Sequence, residues 1–235
     1  MKNILFCLLG IGLVGVAVGQ VVSKGKGCRD AEAEKCDLEF LTFGFSSKLP
    51  ETASKLADLC KKRTKALQCA LNYTDRCLIG FYRGTAFTAI NTMREEHERR
   101  CNATHEDHAA FLQHAKCLNK AGDAIHKCIV NFKKELFTTS TKAETKHRIR
   151  YGCCDYTKMF QCREKNLRDK CGDPAAIVFS RNAGEHILGN ALKVFCGGYT
   201  TESKFCKALP RLPKLPSGTK VPKSILVILK TFATL

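Results

Sequence analysis

The chain has 235 residues, with 39 Lys and Arg against 22 Asp and Glu and a net charge of +17. Its 15 cysteines do not suit a reducing compartment, where thiols stay free, and point to a disulfide framework outside the cell. A basic chain in that setting meets sulfated glycans and anionic lipid as its anionic partners; nucleic acid is not expected among them.

The first segment, MKNILFCLLGIGLVGVAVGQ, has one lysine, an apolar run from Ile4 to Val18, and small residues at Ala17 and Gly19. This is the pattern of a secretory signal peptide over residues 1–19, and the run is short for a membrane span. A retained anchor is the competing reading. Cleavage after Gly19 removes Cys7 and leaves 14 cysteines, an even number as full pairing requires. The localisation expected is secreted and extracellular.

A first helical module is expected over 20–108. Its cysteines, Cys28, Cys36, Cys60, Cys69, Cys77 and Cys101, are separated by 7, 23, 8, 7 and 23 residues. Leu56, Leu59, Cys60, Leu67, Ala70 and Leu71 recur at helical steps, as do Phe87, Ile90, Met93, His97 and Cys101. Asn72-Tyr73-Thr74 and Asn102-Ala103-Thr104 are glycosylation acceptors, with use favoured at Asn102. The run Thr104-His105-Glu106-Asp107-His108 invites a zinc reading, but the protease motif needs histidine where Ala109 stands. A helix start capped by Thr104, with acids in its first turn, explains it better.

A second module is expected over 109–199. Cys117, Cys128, Cys153, Cys162, Cys171 and Cys196 are separated by 10, 24, 8, 8 and 24 residues, close to the first set. CKKRTKALQC at 60–69 aligns with CCDYTKMFQC at 153–162, Asp75-Arg76-Cys77 with Asp169-Lys170-Cys171, and Phe40 with Phe132. Two tandem pseudo-repeats are the reading. Ile149, Cys153, Phe160 and Leu167 mark one helix. Another opens at Asp173-Pro174, an N-cap followed by proline at the first helical position, and carries Ile187, Leu188, Leu192 and Phe195 to Cys196-Gly197-Gly198.

Cysteine geometry adds a constraint. Cys60 and Cys69 on one helix face opposite ways and lie roughly 13 Å apart along the axis, beyond disulfide reach. Each therefore pairs with a different element, which makes theirs a middle helix stapled on both sides; Cys153 and Cys162 repeat the arrangement. The pairing within each set stays open. Cys154 and Cys206 lack counterparts and are the leftover pair, tying the tail to the second module.

The Cys153-Cys154 doublet also resembles the catalytic helix of secreted phospholipases. That helix needs His-Asp at 157 and 158, where Thr157 and Lys158 stand, and no glycine-rich calcium loop precedes it. The phospholipase reading fails.

Residues 200–235 form a basic tail. It holds Lys204, Lys207, Arg211, Lys214, Lys220, Lys223 and Lys230 and, from 203 onward, no acid; setting these and Lys2 aside leaves +9 on residues 20–202. ALPRLPKLPSGTKVPK reads as an extended hydrated arm. Ile225, Ile228, Leu229, Phe232 and Leu235 then follow at helical spacing, a segment suited to docking on an anionic membrane or partner, or to fraying without a role.

The cysteine order, the Tyr73-Thr74-Asp75-Arg76-Cys77 segment, Lys116-Cys117, the Cys153-Cys154 doublet and Cys171-Gly172 resemble secreted cysteine-rich proteins of ticks, mites and spiders. Those are similar to insect haemolymph glycoproteins and, more distantly, to a nematode secreted domain. The resemblance spans residues 28 to about 198 and implies fold and compartment, with no enzymatic activity.

The sequence reading is an all-α, disulfide-rich protein of two helical modules and an irregular basic tail. No Walker loop, dinucleotide fingerprint or nucleophile elbow occurs, so no enzyme and no cofactor are expected. The expected role is binding of an unidentified protein or small molecule, with a sulfated glycan or anionic lipid on the tail as the alternative.

Overall fold

The computed structural model describes residues 28–36, 38, 42–189, 196, 199 and 203–233. The predicted signal peptide, Phe40, Leu192 and Phe195 lie outside them. Among the described residues there are eight α-helices and no strand: α1 (Asp30–Cys36), α2 (Ala53–Cys77), α3 (Gly80–Cys101), α4 (Glu106–Lys142), α5 (Thr145–Lys170), α6 (Pro174–Gly184), α7 (Lys204–Lys207) and α8 (Ile225–Ala233). A π-helical turn, Glu185–Gly189, continues α6. The all-α, disulfide-rich class is as the sequence predicts.

Local chemistry sets most boundaries. Thr52 caps α2, its hydroxyl accepting from Lys55 N at 3.3 Å. Asp173 caps α6 by accepting from Ala175 N at 2.9 Å, with Pro174 next, as read from sequence. Past α5, Gly172 adopts φ +72° and its N–H reaches Leu167 O at 3.1 Å, a left-handed helix stop. At α4 the predicted cap is one residue off. His105, not Thr104, is the N-cap, its Nδ1 accepting from Asp107 N at 3.1 Å. Thr104 instead donates both its N–H and hydroxyl to Asn102 Oδ1. α4 therefore starts at Glu106, so a module boundary at 108 falls inside its first turn.

All 14 described cysteines are paired. The bridges are Cys28–Cys77, Cys36–Cys69 and Cys60–Cys101 in the first set, and Cys117–Cys171, Cys128–Cys162 and Cys153–Cys196 in the second. In each set the first cysteine joins the fifth, the second the fourth and the third the sixth. Cys60 and Cys69 both lie on α2 and are stapled to α3 and α1 respectively, the middle-helix arrangement required by their spacing. On α5, Cys162 is joined to α4 and Cys153 to Cys196. The leftover pair, Cys154–Cys206, forms as expected and anchors α7 to α5.

The interior has two principal cores. One gathers Ala33, Leu67, Ala70, Tyr73, Ile90 and Met93 from α1–α3; the other gathers Leu118, Ile125, Ile129, Met159, Leu167 and Ile177 from α4–α6. Ile149 departs from its predicted inward face and is 47% exposed. The segment 42–50 lies on α4 and joins the second core through Phe43: Asn119 accepts from Leu49 N at 2.7 Å and donates to Leu49 O at 3.0 Å, and His126 Nδ1 meets Phe43 O at 2.8 Å.

The tail is not irregular throughout. α8 forms where helical spacing predicts it, Leu235 lying outside the described residues, but its apolar residues Leu226, Val227 and Ile228 face inward. Leu226 and Val227 enter the first core and Ile228 the second, with Leu226 and Ile228 wholly buried. Around it, Ser224 N donates to Glu34 Oε1 at 3.1 Å, and Lys230 Nζ reaches Cys28 O at 2.8 Å and Asp30 Oδ1 at 2.7 Å. These apolar residues are therefore committed to the fold rather than presented to a membrane.

Candidate functional site

From Leu209 to Pro216 the chain runs as an extended strap, which turns at Ser217-Gly218 and continues to Ser224. Leu209, Leu212 and Leu215 are half-buried, whereas Pro210, Arg211, Pro213 and Lys214 are exposed. This period of three is that of a polyproline helix, and it was present in the sequence as LPR-LPK-LPS. Proline and charge dominate this stretch in sequence, and the leucine triplet gains meaning only from the inward side it takes in the fold. The strap is fixed at its start by Cys154–Cys206, within by Tyr151 Oη donating to Pro210 O at 2.7 Å, and at its end by Ser224–Glu34.

Beneath the strap, against α4 and α5, is a cleft of about 670 Å³. Its floor includes Asp155, which is buried, accepts from Thr139 Oγ1 at 3.1 Å and meets Lys158 Nζ at 3.5 Å. Burial pushes the Asp155 carboxyl up, against the pull of Lys158 and Thr139. Glu135 on the rim is pushed up as well, by burial and by Asp155 beside it.

The seven cations singled out in the tail separate into two groups. Lys204, Lys207, Arg211, Lys214, Lys220 and Lys223 have exposed side chains. Lys230 is turned to Asp30 and the Cys28 carbonyl and is part of the fold rather than an anion site. Of the sequons, Asn102 lies exposed just past α3, whereas Asn72 is exposed near the C-terminal end of α2, where Thr74 is buried.

A second constellation was not read from the sequence. The donor atoms of Cys60, His97 and Cys101 lie within 4.8 Å of one another. The two sulfurs are bonded to each other, leaving the imidazole as the only open donor of the three. His97 Nδ1 is 3.4 Å from Cys101 Sγ and its Nε2 is 2.9 Å from Thr64 Oγ1. Burial, then Arg63 and Arg100, hold the His97 imidazole down at about 4. His105 and His108 are not joined in any comparable cluster: His105 caps α4, and His108 Nδ1 meets Arg100 O at 2.8 Å.

That depression makes stability depend on pH with a definite sign. Unfolded, the ring protonates through about 6.5; folded, it waits until about 4, so between these values the unfolded state binds more protons. The His97 contribution to stability is thus complete above about 6.5 and is lost as pH falls towards 4, by up to about 3 kcal/mol. Asp155 and Glu135, raised when folded, act in the opposite direction. The difference between wild type and His97→Leu isolates the histidine. In urea unfolding at pH 7 and pH 4.5, wild type is expected to lose more stability than the variant. Equal losses sink the assignment.

No helix among the described residues is long and apolar enough to cross a membrane. Together the bridges, the bound strap and the cleft define a disulfide-stapled helical protein. Comparison with protein families, curated proteins and solved structures returns no match.

Proposed function

We propose that the protein is a secreted, non-catalytic binding protein whose strap holds a linear sulfated polyanion. The observation that supports this most is the strap's two-edged geometry: leucines inward, Arg211 and Lys214 outward, both ends fixed. Three residues of a polyproline helix advance about 9 Å, so these cations recur along one edge at that interval, with Lys220 beyond. An array fixed in advance loses little conformational entropy on binding. The seven described bridges, the predicted signal and the resemblance to arachnid secreted proteins support the extracellular setting. The cleft beneath the strap supports a second reading, capture of a small molecule, since its volume falls within the range of ordinary ligand sites.

The test must leave α8 in place, because cutting at Gly198 removes core residues along with charge. The full mature chain carrying Arg211→Gln, Lys214→Gln and Lys220→Gln is compared with wild type on immobilised heparin. Each cation near an anionic surface contributes about 1 kcal/mol, so the triple variant is expected to bind about a hundredfold more weakly and to elute at lower salt. Elution together with wild type assigns the binding to the body's remaining charge and ends the strap reading. Loss of binding to phosphatidylserine vesicles, with heparin binding intact, identifies a lipid surface instead.

A further inference from the structure

The third bridge of each cysteine set joins matching positions, yet its surroundings differ. Three residues after Cys60 stands Arg63, where Tyr156 follows Cys153; four before Cys101 stands His97, where Leu192 precedes Cys196. Directly before Cys101 is Arg100, and directly before Cys196 is Phe195. In sequence, the corresponding positions thus hold aromatic and aliphatic residues in one set and three basic residues in the other. Linking the helices does not require the basic residues.

Their placement is also costly. Arg100 is buried, with its ring-facing guanidinium 5.5 Å from the Phe111 centroid and 6.0 Å from that of Phe179. Glu96 neutralises it from 3.2 Å, but Arg100 Nε has no hydrogen-bond partner. Arg63, His97 and Arg100 line a cavity of about 30 Å³ together with Glu96 and both cysteines of the bridge. His97 and Cys101 also line an open cleft of about 520 Å³, beside Thr64, Arg94, Glu98 and Asn102. Among the described residues no other disulfide has an imidazole within hydrogen-bond distance in the contacts seen.

We propose that Cys60–Cys101 is a thiol-exchangeable disulfide, opened from the outer cleft by a small external thiol. An external thiolate attacks Cys101 Sγ, forming a mixed disulfide, and the Cys60–Cys101 bond breaks with its electron pair leaving on Cys60 Sγ. That thiolate forms in the cavity lined by Arg63 and by the Arg100–Glu96 pair; Arg100 is already neutralised there, so the Arg63 guanidinium is the charge that stabilises the leaving group. A second external thiolate attacks the sulfur of the first external thiol. It releases Cys101 as a thiolate beside His97, and the two protein thiolates take up protons from solvent. Two external thiols are oxidised to one disulfide and the protein bridge is reduced by two electrons. The matching bridge Cys153–Cys196 lacks these charges at its corresponding positions and resists.

The experiment uses the full mature chain, oxidised, titrated with reduced glutathione, then alkylated and mapped by mass spectrometry. Cys60 and Cys101 are expected to label together at a glutathione concentration at least about tenfold below that for any other pair, a separation set by thiolate stabilisation. Arg63→Gln and Arg63→Met, which both remove the cation beside Cys60, are each expected to slow this opening several-fold while the other six bridges keep their rates. Far-UV circular dichroism shows which variants retain the fold; should one not, the other carries the test. Labelling of Cys60 and Cys101 with or after the other pairs overturns the proposal. So does unchanged opening in a folded variant, which would assign any early labelling to access alone.

Discussion

Replacing Leu226 and Ile228 together by alanine is expected to lower the unfolding free energy by about 5 kcal/mol or more, although both lie within ten residues of the C-terminus. Both side chains are wholly buried, and each truncation removes burial and leaves a cavity, at about 2–5 kcal/mol apiece. They enter different cores, Leu226 with α1–α3 and Ile228 with α4–α6, so the double variant loosens both helical sets. α8 is therefore a wedge common to both helical sets, with Lys230–Asp30 and Ser224–Glu34 locking its α1 side. Urea unfolding of the oxidised protein measures the effect. An unchanged midpoint, as a frayed or membrane-seeking terminus requires, refutes this role for α8.

That outcome also marks where sequence reasoning stops. The staples on α2 were legible because covalent reach and helical pitch leave no alternative: two cysteines nine residues apart on one helix cannot bond each other or a common partner. Asp173-Pro174 was legible because capping is local chemistry. α8 was legible as a helix but not as a core element, since an apolar stripe with lysines beside it has the same pattern whether its counter-surface is lipid or protein. Asp30 and Glu34, the groups that settle Lys230 and Ser224, lie about 190–200 residues away in sequence. The Thr104 cap failed because Asn102 competes for the same hydroxyl and N–H, leaving His105 to accept from the helix. The site around Cys60–Cys101 was hidden in plain residues. His97 read as one member of a helical stripe, and only the bridge places its ring against sulfur.

Gly122→Ala is expected to destabilise the protein by about 3 kcal/mol, despite replacing glycine in the middle of a long helix. In an unobstructed helix this change is favourable by up to about 1 kcal/mol, because glycine loses more backbone entropy on folding. Here a Cβ would overlap Ser47 O and stand 3.0 Å from Phe43 Cε1. The first of those is backbone and cannot rotate aside. Moving the 42–50 segment to make room loosens Asn119 from Leu49 and His126 from the Phe43 carbonyl, and buried polar groups left unpaired cost about 1–3 kcal/mol each. Phe43 adds to the rigidity: it is buried with φ 70°, a left-handed conformation that a bulky residue holds only when packing fixes it. Gly84→Ala supplies the control, since a Cβ at that exposed position of α3 meets nothing within 4 Å. It is expected to stabilise by about 0.5–1 kcal/mol. Thermal unfolding of the two single variants should therefore shift in opposite directions, down for Gly122→Ala and up for Gly84→Ala. Two upward shifts would mean that α4 does not carry the 42–50 segment in solution.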